Sequence, residues 1–417
     1  EKVNIKISSF FKNAGRISIN DLKIDANTVI QKFENKFTPS IEGQNLLIQN
    51  SKNLIFKNGK IKVDNFTIDS QGPVINECTI NVLNKLVISV HPKQFFIQKG
   101  YLKTNCLNFS GDDSLFTNNG ELYVRKFTFN DGTTFENISV YKASINELNF
   151  ANKKSKLVNT GDLSVLKGSL NKFINAGIFN SHELTVNDLI VENQENKKGK
   201  MNVEKLEISC SFTNNGFVTI SFLKIKGKLN NNNEIILTNN SIFSLKEVNQ
   251  NGLFSAYSIS GEVKKWNENY KSFIKTNSES SLKFSSVTVY PHSEFQLLGE
   301  LEVSKFINNG KFVLNGSYLK VCDEFIAGNE SLTILQDGNF SKKKDHMTIS
   351  TISKNTGIST NSFSCQNLIV SKNGLLIDSI IDVQLNKISV EGDVKFIGNQ
   401  AFQNFQKIDT KNSFVSG

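Results

Sequence analysis

The stretch FTNNGELYVRKFTF, residues 116–129, joins a turn signal to two short runs of alternating apolar and polar residues. Leu122 and Val124 would share one face of a strand, but the next apolar residue, Phe127, comes three positions after Val124. Side chains alternate between the two faces of a strand. The slip of one residue therefore predicts a bend at Arg125-Lys126, after which the apolar side chains face the same interior again. With a third short strand before the asparagines, the stretch predicts one turn of a coil.

Versions of this stretch return along the whole chain. They begin at Phe11, Phe56, Phe212 and Phe306. A shorter pattern, apolar-x-x-apolar-x-apolar, recurs every 20 or 21 residues between Leu46 and Leu189 and less regularly afterwards. A fixed period of this length predicts a stacked repeat architecture. We expect an all-β, single-stranded parallel β-helix (a β-solenoid) of about 20 rungs of roughly 20 residues, continuous over 1–417 and less regular around 228–280.

The turn signal Asn-x-Gly is the predicted corner of each rung. Its clearest copies are Asn13 with Gly15, Asn118 with Gly120, Asn214 with Gly216, and Asn308 with Gly310. We expect the asparagines and glycines to supply positive-φ residues for a sharp corner. Rungs stack at roughly 4.8 Å, so asparagines at equivalent corners could hydrogen-bond up the stack while phenylalanines pile inside.

Two other architectures share part of this pattern. The apolar pattern also fits the strand of a leucine-rich repeat, and Asn27 stands where such a repeat places its asparagine. The corresponding positions in other copies are Gly132, Lys153 and Gln194, and the rest of each unit is typical of strand rather than helix. An antiparallel sandwich would need hairpin turns every 8 to 12 residues or so. The pattern favours the solenoid over both.

The composition of the chain limits which classes of partner are expected. The chain has 417 residues, 38% of them apolar, and a net charge of +9, but only two of its 48 basic residues are arginine. The lysines are scattered and no interleaved aromatic residues accompany them, so nucleic acid is not an expected partner. The five cysteines lie far apart and predict neither a disulfide framework nor a zinc site. No cofactor or metal is expected. The histidines, each isolated in sequence, are His91, His182, His292 and His346.

Export signals and membrane spans each have a recognisable sequence pattern. The sequence opens on a glutamate, shows no charged-then-apolar leader, and contains no run approaching the roughly 20 apolar residues that cross a bilayer. We expect a mature or excised fragment without membrane insertion, secreted or at the cell surface.

The corner motif, extended to Asn-x-Gly-x-apolar-x-apolar-x-x-apolar-x-apolar, resembles the repeats of filamentous-haemagglutinin-type exoproteins. It is seen in residues 13–24 and 214–225. The resemblance implies a right-handed β-helical rod, exported by two-partner secretion, that acts as an adhesin or carries a toxin. The Asn-Pro-Asn-Gly motif of the secretion domain and a recognisable toxin domain are not found, so the chain would be an internal piece of such a rod.

Few residues suggest catalysis. Asp112 and Asp113, in SGDDSLF, resemble the paired aspartates of β-helical polygalacturonases, which perform acid/base work on a glycosidic bond. The companion Asn-Thr-Asp, Gly-His-Gly and Arg-Ile-Lys signatures are missing, which favours a solvated corner.

The lysine-rich stretch 192–200 predicts a solvated insertion, with acidic glycans as the alternative ligand. Trp266 is interpreted as covering an irregular part of the core, with an exposed sugar-binding patch as the alternative.

Two function classes follow from these observations. The favoured one is an extracellular rod that presents a glycan-binding or protein-binding surface to a host cell, a neighbouring cell or the matrix. The other is a β-helical enzyme that acts on polysaccharides. An enzyme needs carboxylates and basic residues that converge in a groove, whereas a rod needs none.

Overall fold

The structure, a computed structural model, describes residues 2–32, 39–194, 197–275, 282–298 and 300–315 and, beyond these, individual strands as far as 416. The chain forms two compact units, Glu1–Glu207 and Ile208–Gly417. The boundary falls within one strand, β20 (Lys200–Asn214).

The first unit contains nineteen strands before β20. They are β1 (Lys2–Asn13), β2 (Arg16–Ser18), β3 (Asp21–Lys32), β4 (Ser40–Ser51), β5 (Asn53–Lys57), β6 (Lys60–Ser70), β7 (Val74–Asn76), β8 (Thr79–Val90), β9 (Phe95–Gln98), β10 (Tyr101–Ser110), β11 (Leu115–Asn118), β12 (Glu121–Phe129), β13 (Thr134–Asn137), β14 (Ala143–Phe150), β15 (Lys156–Asn159), β16 (Asp162–Asn175), β17 (Ile178–Val191), β18 (Asn193–Gln194) and β19 (Lys197–Lys198).

The described elements of the second unit are also strands. Its strands are β21 (Phe217–Asn231), β22 (Glu234–Gln250), β23 (Leu253–Glu268), β24 (Lys271–Lys275), β25 (Leu282–Val289), β26 (Glu294–Leu298), β27 (Glu300–Asn308), β28 (Lys311–Asn315), β29 (Tyr318–Ala327), β30 (Leu332–Gln336), β31 (Asn339–Lys342), β32 (Met347–Ile349), β33 (Gly357–Ser359), β34 (Ser362–Val370), β35 (Leu375–Asp378), β36 (Asp382–Val390), β37 (Val394–Ile397), β38 (Ala401–Gln403), β39 (Lys407–Thr410) and β40 (Val415–Ser416).

The fold is an all-β parallel solenoid, with no helix among the described residues, which confirms the predicted class. Strands pair in parallel with the equivalent strand one turn away, as β8 does with β10 and β10 with β12. Within the described residues, the one antiparallel pair joins β18 to β19, in the predicted lysine-rich insertion. Both alternatives are therefore wrong, because a leucine-rich repeat needs a helix or helix-like segment and a sandwich needs antiparallel ladders.

One turn consists of three strand segments, as the opening stretch predicted. In the column of first segments Ile80 pairs with Leu102, and in the column of second segments Leu86 pairs with Leu107. The third segments lie on the separate short strands β9, β11 and β13, where Phe116 pairs with Phe96 and with Phe135. Side chains at one position of the turn thus form a column through the stack.

The apolar columns face inward. Phe127 is fully buried while the neighbouring Arg125 and Lys126 are exposed, which confirms the predicted bend. Rings stack along the columns, with 4.8 Å between the ring centroids of the buried Phe96 and Phe116 and 4.8 Å between those of the buried Phe129 and the half-buried Phe150. Ring pairs at such distances add roughly 0.5–1.5 kcal/mol each to the free energy of burial.

The predicted number of rungs is wrong. The part of the chain that the structure describes forms about 14 turns, whereas about 20 were predicted. The length of a turn also varies: Leu22 pairs with Leu46, 24 residues on, whereas Gly168 pairs with Leu184, 16 residues on. One sequence marker also leaves its column, because Leu189 pairs with Phe173.

Candidate binding surface

The four Asn-x-Gly corners share one local hydrogen bond. In each, the asparagine side-chain oxygen accepts the backbone N–H of the glycine two residues later. The N···O distances are 3.1 Å for Asn13 and Gly15, 3.4 Å for Asn118 and Gly120, 3.0 Å for Asn214 and Gly216, and 3.1 Å for Asn308 and Gly310. This is the asparagine turn in which a side chain imitates the backbone. All four asparagines are buried.

The expected positive-φ glycines are not the reason for the motif. None of its four glycines is among the residues with positive φ. What two of them provide is room: a Cβ at Gly120 would lie 2.2 Å from the carbonyl oxygen of Gly100, and one at Gly310 would lie 2.3 Å from that of Tyr290. The motif glycine at these two corners therefore permits the close approach of successive turns.

Behind the corners of the first unit runs an inner ladder of buried asparagines. The side-chain amide of Asn118 donates to Asn137, that of Asn137 to Asn159, and that of Asn159 to Asn175. Each Nδ2···Oδ1 distance is 2.8 Å. The ladder ends where the amide of Asn175 donates to the backbone carbonyls of Gly177 and Lys200. Buried polar groups are stable only when paired, and here each turn pairs the next.

The inner column of the second unit is interrupted. The amide of Asn214 donates to Asn231 at 2.8 Å, but the amide of Asn231 donates to the backbone carbonyl of Leu253. Gln250 pairs in register with Asn231, yet its buried side-chain oxygen has no hydrogen-bond partner. The next position in the column is a glutamate, Glu268.

Glu268 is fully buried and accepts three hydrogen bonds. The donors are the indole N–H of Trp266 at 3.0 Å, the backbone N–H of Tyr270 at 3.4 Å and the hydroxyl of Ser272. Burial nevertheless raises the pKa of this carboxyl to about 8, because removal from water penalises the charged form more than these hydrogen bonds stabilise it. Glu268 is a residue that sequence reasoning missed.

Trp266 belongs to the core. Its ring is fully buried and lies 5.5 Å from that of Phe254 and 5.7 Å from that of Phe284 between centroids. The interpretation as a core residue is confirmed, and an exposed sugar-binding patch at this tryptophan is excluded.

A second ladder of asparagines lies on the outside of the second unit. Asn232 donates to Asn215 at 2.7 Å, Asn251 to Asn232 at 2.8 Å, and Asn269 to Asn251 at 2.8 Å. Asn232, Asn251 and Asn269 are exposed, and Asn215 is half-buried. Backbone hydrogen bonds hold the column in register: the N–H of Asn251 bonds the carbonyl of Asn231, and that of Asn269 bonds the carbonyl of Gln250, both at 2.7 Å.

Two exposed tyrosines adjoin this ladder. Tyr290 continues the same column one turn beyond Asn269, since its N–H bonds the carbonyl of Glu268 at 2.9 Å. Tyr270 follows Asn269 directly in the chain. The two side chains are 40% and 49% exposed, respectively. We call the surface formed by Asn215, Asn232, Asn251, Asn269, Tyr270 and Tyr290 the asparagine corner.

The aspartates of the sequence analysis lie elsewhere. Asp112 and Asp113 are both exposed at the corner between β10 and β11, and Asp113 has a left-handed backbone with φ of 53°. The backbone N–H of Gly111, just before them, donates to the carboxylate of Asp131. These positions are those of turn residues, as the favoured interpretation predicted.

The structure has a shallow hollow of about 500 Å³ over β1, β3, β4 and β6. Asp21 is the one carboxylate among its lining residues, which include Lys2 and Lys23. The side chain of Asn45 donates to Asp21 at 2.6 Å. The hollow thus contains no pair of carboxylates for acid/base work, and neither Asp112 nor Asp113 lines it.

Charged side chains pair along the outside. Glu183 lies between Lys205, at 2.9 Å, and Lys167, at 3.3 Å, and the hydrogen bond from Lys205 is the main cause that lowers its pKa. In the second unit Glu247 lies between Lys228 at 3.5 Å and Lys265 at 3.6 Å. These lysines therefore take part in columns in which positive and negative side chains alternate.

The three described histidines, His91, His182 and His292, form no cluster that could hold a metal ion. His182 contacts Glu204, His91 and His292 are exposed corner residues, and His346 lies outside the described residues. Among the residues that the structure describes, no group of three or more histidine, cysteine, aspartate or glutamate side chains could hold a metal ion. The free cysteines there are Cys78, Cys106 and Cys210.

Within the same described ranges, no helix is long and apolar enough to cross a bilayer. Comparison of the chain with protein-family models, with curated proteins and with solved structures gave no match. The resemblance to filamentous-haemagglutinin-type repeats therefore stays a prediction.

Proposed function

We propose that this chain is a structural and adhesive module that works outside the cell and presents its outer columns to a cell surface or to the matrix. The observation that carries the proposal is the asparagine corner, where the stack repeats one exposed polar side chain at a fixed spacing of about 4.8 Å. Such a surface suits a partner that is itself repetitive, since each contact can be weak and many can form together.

Two further features support this function. The core is formed by inward apolar columns together with buried asparagines, so the fold does not need the exposed side chains of the asparagine corner for its core. The corner motif also resembles that of exoproteins that act as adhesins, as the sequence analysis set out. Outer residues can therefore vary to suit a partner without cost to the fold.

The experiment is an adhesion assay with the whole chain. Wells are coated with the folded protein, with heat-unfolded protein, or with the variant Phe127→Asp, which places a charge in the buried column. Washed bacterial or eukaryotic cells are then counted. We expect cells to adhere to the folded protein and not to either control. If every cell type tested adheres no better to the folded protein than to the two controls, the proposal is wrong.

A further inference from the structure

We propose that the asparagine corner binds a neutral polysaccharide chain that runs along the column of turns. This inference rests on the proposed adhesive function and names the class of ligand for it. The corner extends over four steps from Asn215 to Tyr290, about 19 Å at roughly 4.8 Å per step. That length suits an extended polymer better than a single small molecule.

The ladder leaves hydrogen-bonding capacity for such a ligand. A side-chain amide has two N–H donors and two acceptor lone pairs. Asn232 and Asn251 each use one donor towards the previous turn and one lone pair towards the next. One N–H and one lone pair of each exposed amide thus stay available to solvent. Sugar hydroxyls both donate and accept, so a row of amides that offers both functions at a fixed interval matches them.

The tyrosines supply the apolar part of the site. Sugar rings carry C–H faces that pack against aromatic rings, and tyrosine combines such a face with a polar tip. Tyr270 and Tyr290 stand at one end of the amide row with 49% and 40% of their side chains exposed. An exposed aromatic ring beside ordered amides is the combination that a sugar-binding surface requires.

The asparagine corner has no formal charge, and this indicates which class of polymer it could bind. The six residues of the asparagine corner carry no charged side chain. Glu294, whose N–H bonds the carbonyl of Tyr270, is paired with Lys311 at 2.9 Å. An acidic glycan would find no cation among these six side chains, and a row of exposed amides gives a protein partner no apolar centre of the kind that a stable interface buries. The chemistry therefore favours a neutral polysaccharide.

The test uses native gels of the whole chain cast with soluble polysaccharides, namely β-1,3-glucan, hydroxyethyl cellulose and α-mannan as neutral probes, and alginate and heparin as acidic ones. The variants are Tyr270→Ala with Tyr290→Ala, and Asn232→Ala with Asn251→Ala. A matched control, Asn45→Ala with Asn65→Ala, removes an outward asparagine pair of the first unit that is bonded in the same way at 2.9 Å.

We expect at least one neutral polymer to retard the protein. Both asparagine-corner variants should weaken the affinity about tenfold or more, as expected for the loss of about 1.4 kcal/mol, while the control binds like the parent. Circular dichroism and melting show that each variant is folded, and Tyr270→Phe should retain binding because it keeps the ring. The inference is wrong if no neutral polymer retards the protein, or if neither corner variant weakens the retardation. Cell adhesion that survives in both variants would contradict this site and leave the adhesive function standing.

Discussion

The inner columns of the two units differ in one respect. In the first unit the buried amides of Asn118, Asn137, Asn159 and Asn175 bond one another in an unbroken series. In the second unit the series stops after Asn231 and the column continues as Gln250 and Glu268. An amide both donates and accepts, so it can pass a hydrogen bond from turn to turn. Gln250 is also an amide, but its side chain donates to the carbonyl of Gly252 and its oxygen receives no hydrogen bond. A hydrogen-bonded column through a core therefore needs amides that are placed to meet those of the next turn.

The largest effect is expected from breaking the continuous ladder. Asn137→Ala removes the acceptor of the Asn118 amide and the donor to Asn159, and leaves both buried groups unpaired. At about 1–3 kcal/mol for each of the two groups, the local free energy of unfolding should fall by about 2–6 kcal/mol. Hydrogen exchange of peptides from 110–175 measures it. The control Asn119→Ala changes an exposed neighbour and should stay within about 0.5 kcal/mol of the parent. Equal effects of the two changes would contradict the role of the ladder.

The carboxyl in the second unit makes that region sensitive to pH. With a pKa of about 8 when folded and an ordinary value of 4.5, Glu268 keeps its proton between these pH values only in the folded state. The free energy of unfolding should therefore fall as pH rises from about 4.5 to about 8, by about 1.4 kcal/mol per pH unit, or about 3 kcal/mol at pH 7. Glu268→Gln should remove this slope and stabilise the region at neutral pH.

The single tryptophan reports on that titration directly. Trp266 donates its indole N–H to Glu268, so its fluorescence should change with a midpoint near pH 8 in the parent and not in Glu268→Gln. The control Glu262→Gln neutralises an exposed glutamate of the same strand and should keep the transition. A tryptophan signal that is flat from pH 6 to 9 in the parent would show that Glu268 does not titrate there.

A smaller effect is expected from repairing the interrupted column. Gln250→Asn offers the shorter amide found elsewhere in the inner ladders, which could accept from Asn231 and leave no buried oxygen unpaired. One added hydrogen bond should stabilise residues 214–268 by about 1 kcal/mol, measured by hydrogen exchange. The matched change Gln98→Asn should bring no gain, because Gln98 already accepts from Asn76 at 2.7 Å. A gain at both positions would show that shortening alone is what stabilises.

The smallest effect is expected from Asp112→Asn combined with Asp113→Asn. Both carboxylates are exposed at a corner, so the melting temperature and cell adhesion should match the parent. Neither protein should release reducing ends or unsaturated products from pectin, alginate or hyaluronan, with or without calcium. Cleavage by the parent that disappears in this variant would overturn the proposed function in favour of an enzyme.

Much of the fold follows from local sequence. The phase slip at Arg125-Lys126 predicted which face of each strand is buried, because strand periodicity is a property of the chain itself. The function of the motif glycines was predicted wrongly, since the close contact of Gly120 with Gly100 lies between turns and leaves no sign in φ preferences. The corner asparagines were predicted to bond up the stack, and Asn118 does so.

Other members of the inner ladder could not be found from the motif. Asn137 is followed by Ile138 and Ser139 and so lacks the glycine of Asn-x-Gly. It bonds Asn118, 19 residues earlier, and Asn159, 22 residues later. These intervals are close to the repeat period, but because the turn lengths are unequal the sequence alone does not show that the asparagines share one column. Glu268 was missed for the same reason, since only the register shows that it occupies an asparagine position.

The inner ladder also has a direction. Every amide from Asn118 to Asn159 donates towards the carboxyl-terminal side, so the side-chain dipoles add and polarise one another. The outer ladder of the second unit runs the other way, from Asn269 back to Asn215. Within that unit Asn214 and Asn232 therefore point their amides oppositely, and adjacent dipoles cancel. Each ladder has one end that donates hydrogen bonds and one end that accepts them. A second copy could therefore continue a ladder only by placing its donor end against the acceptor end of the first.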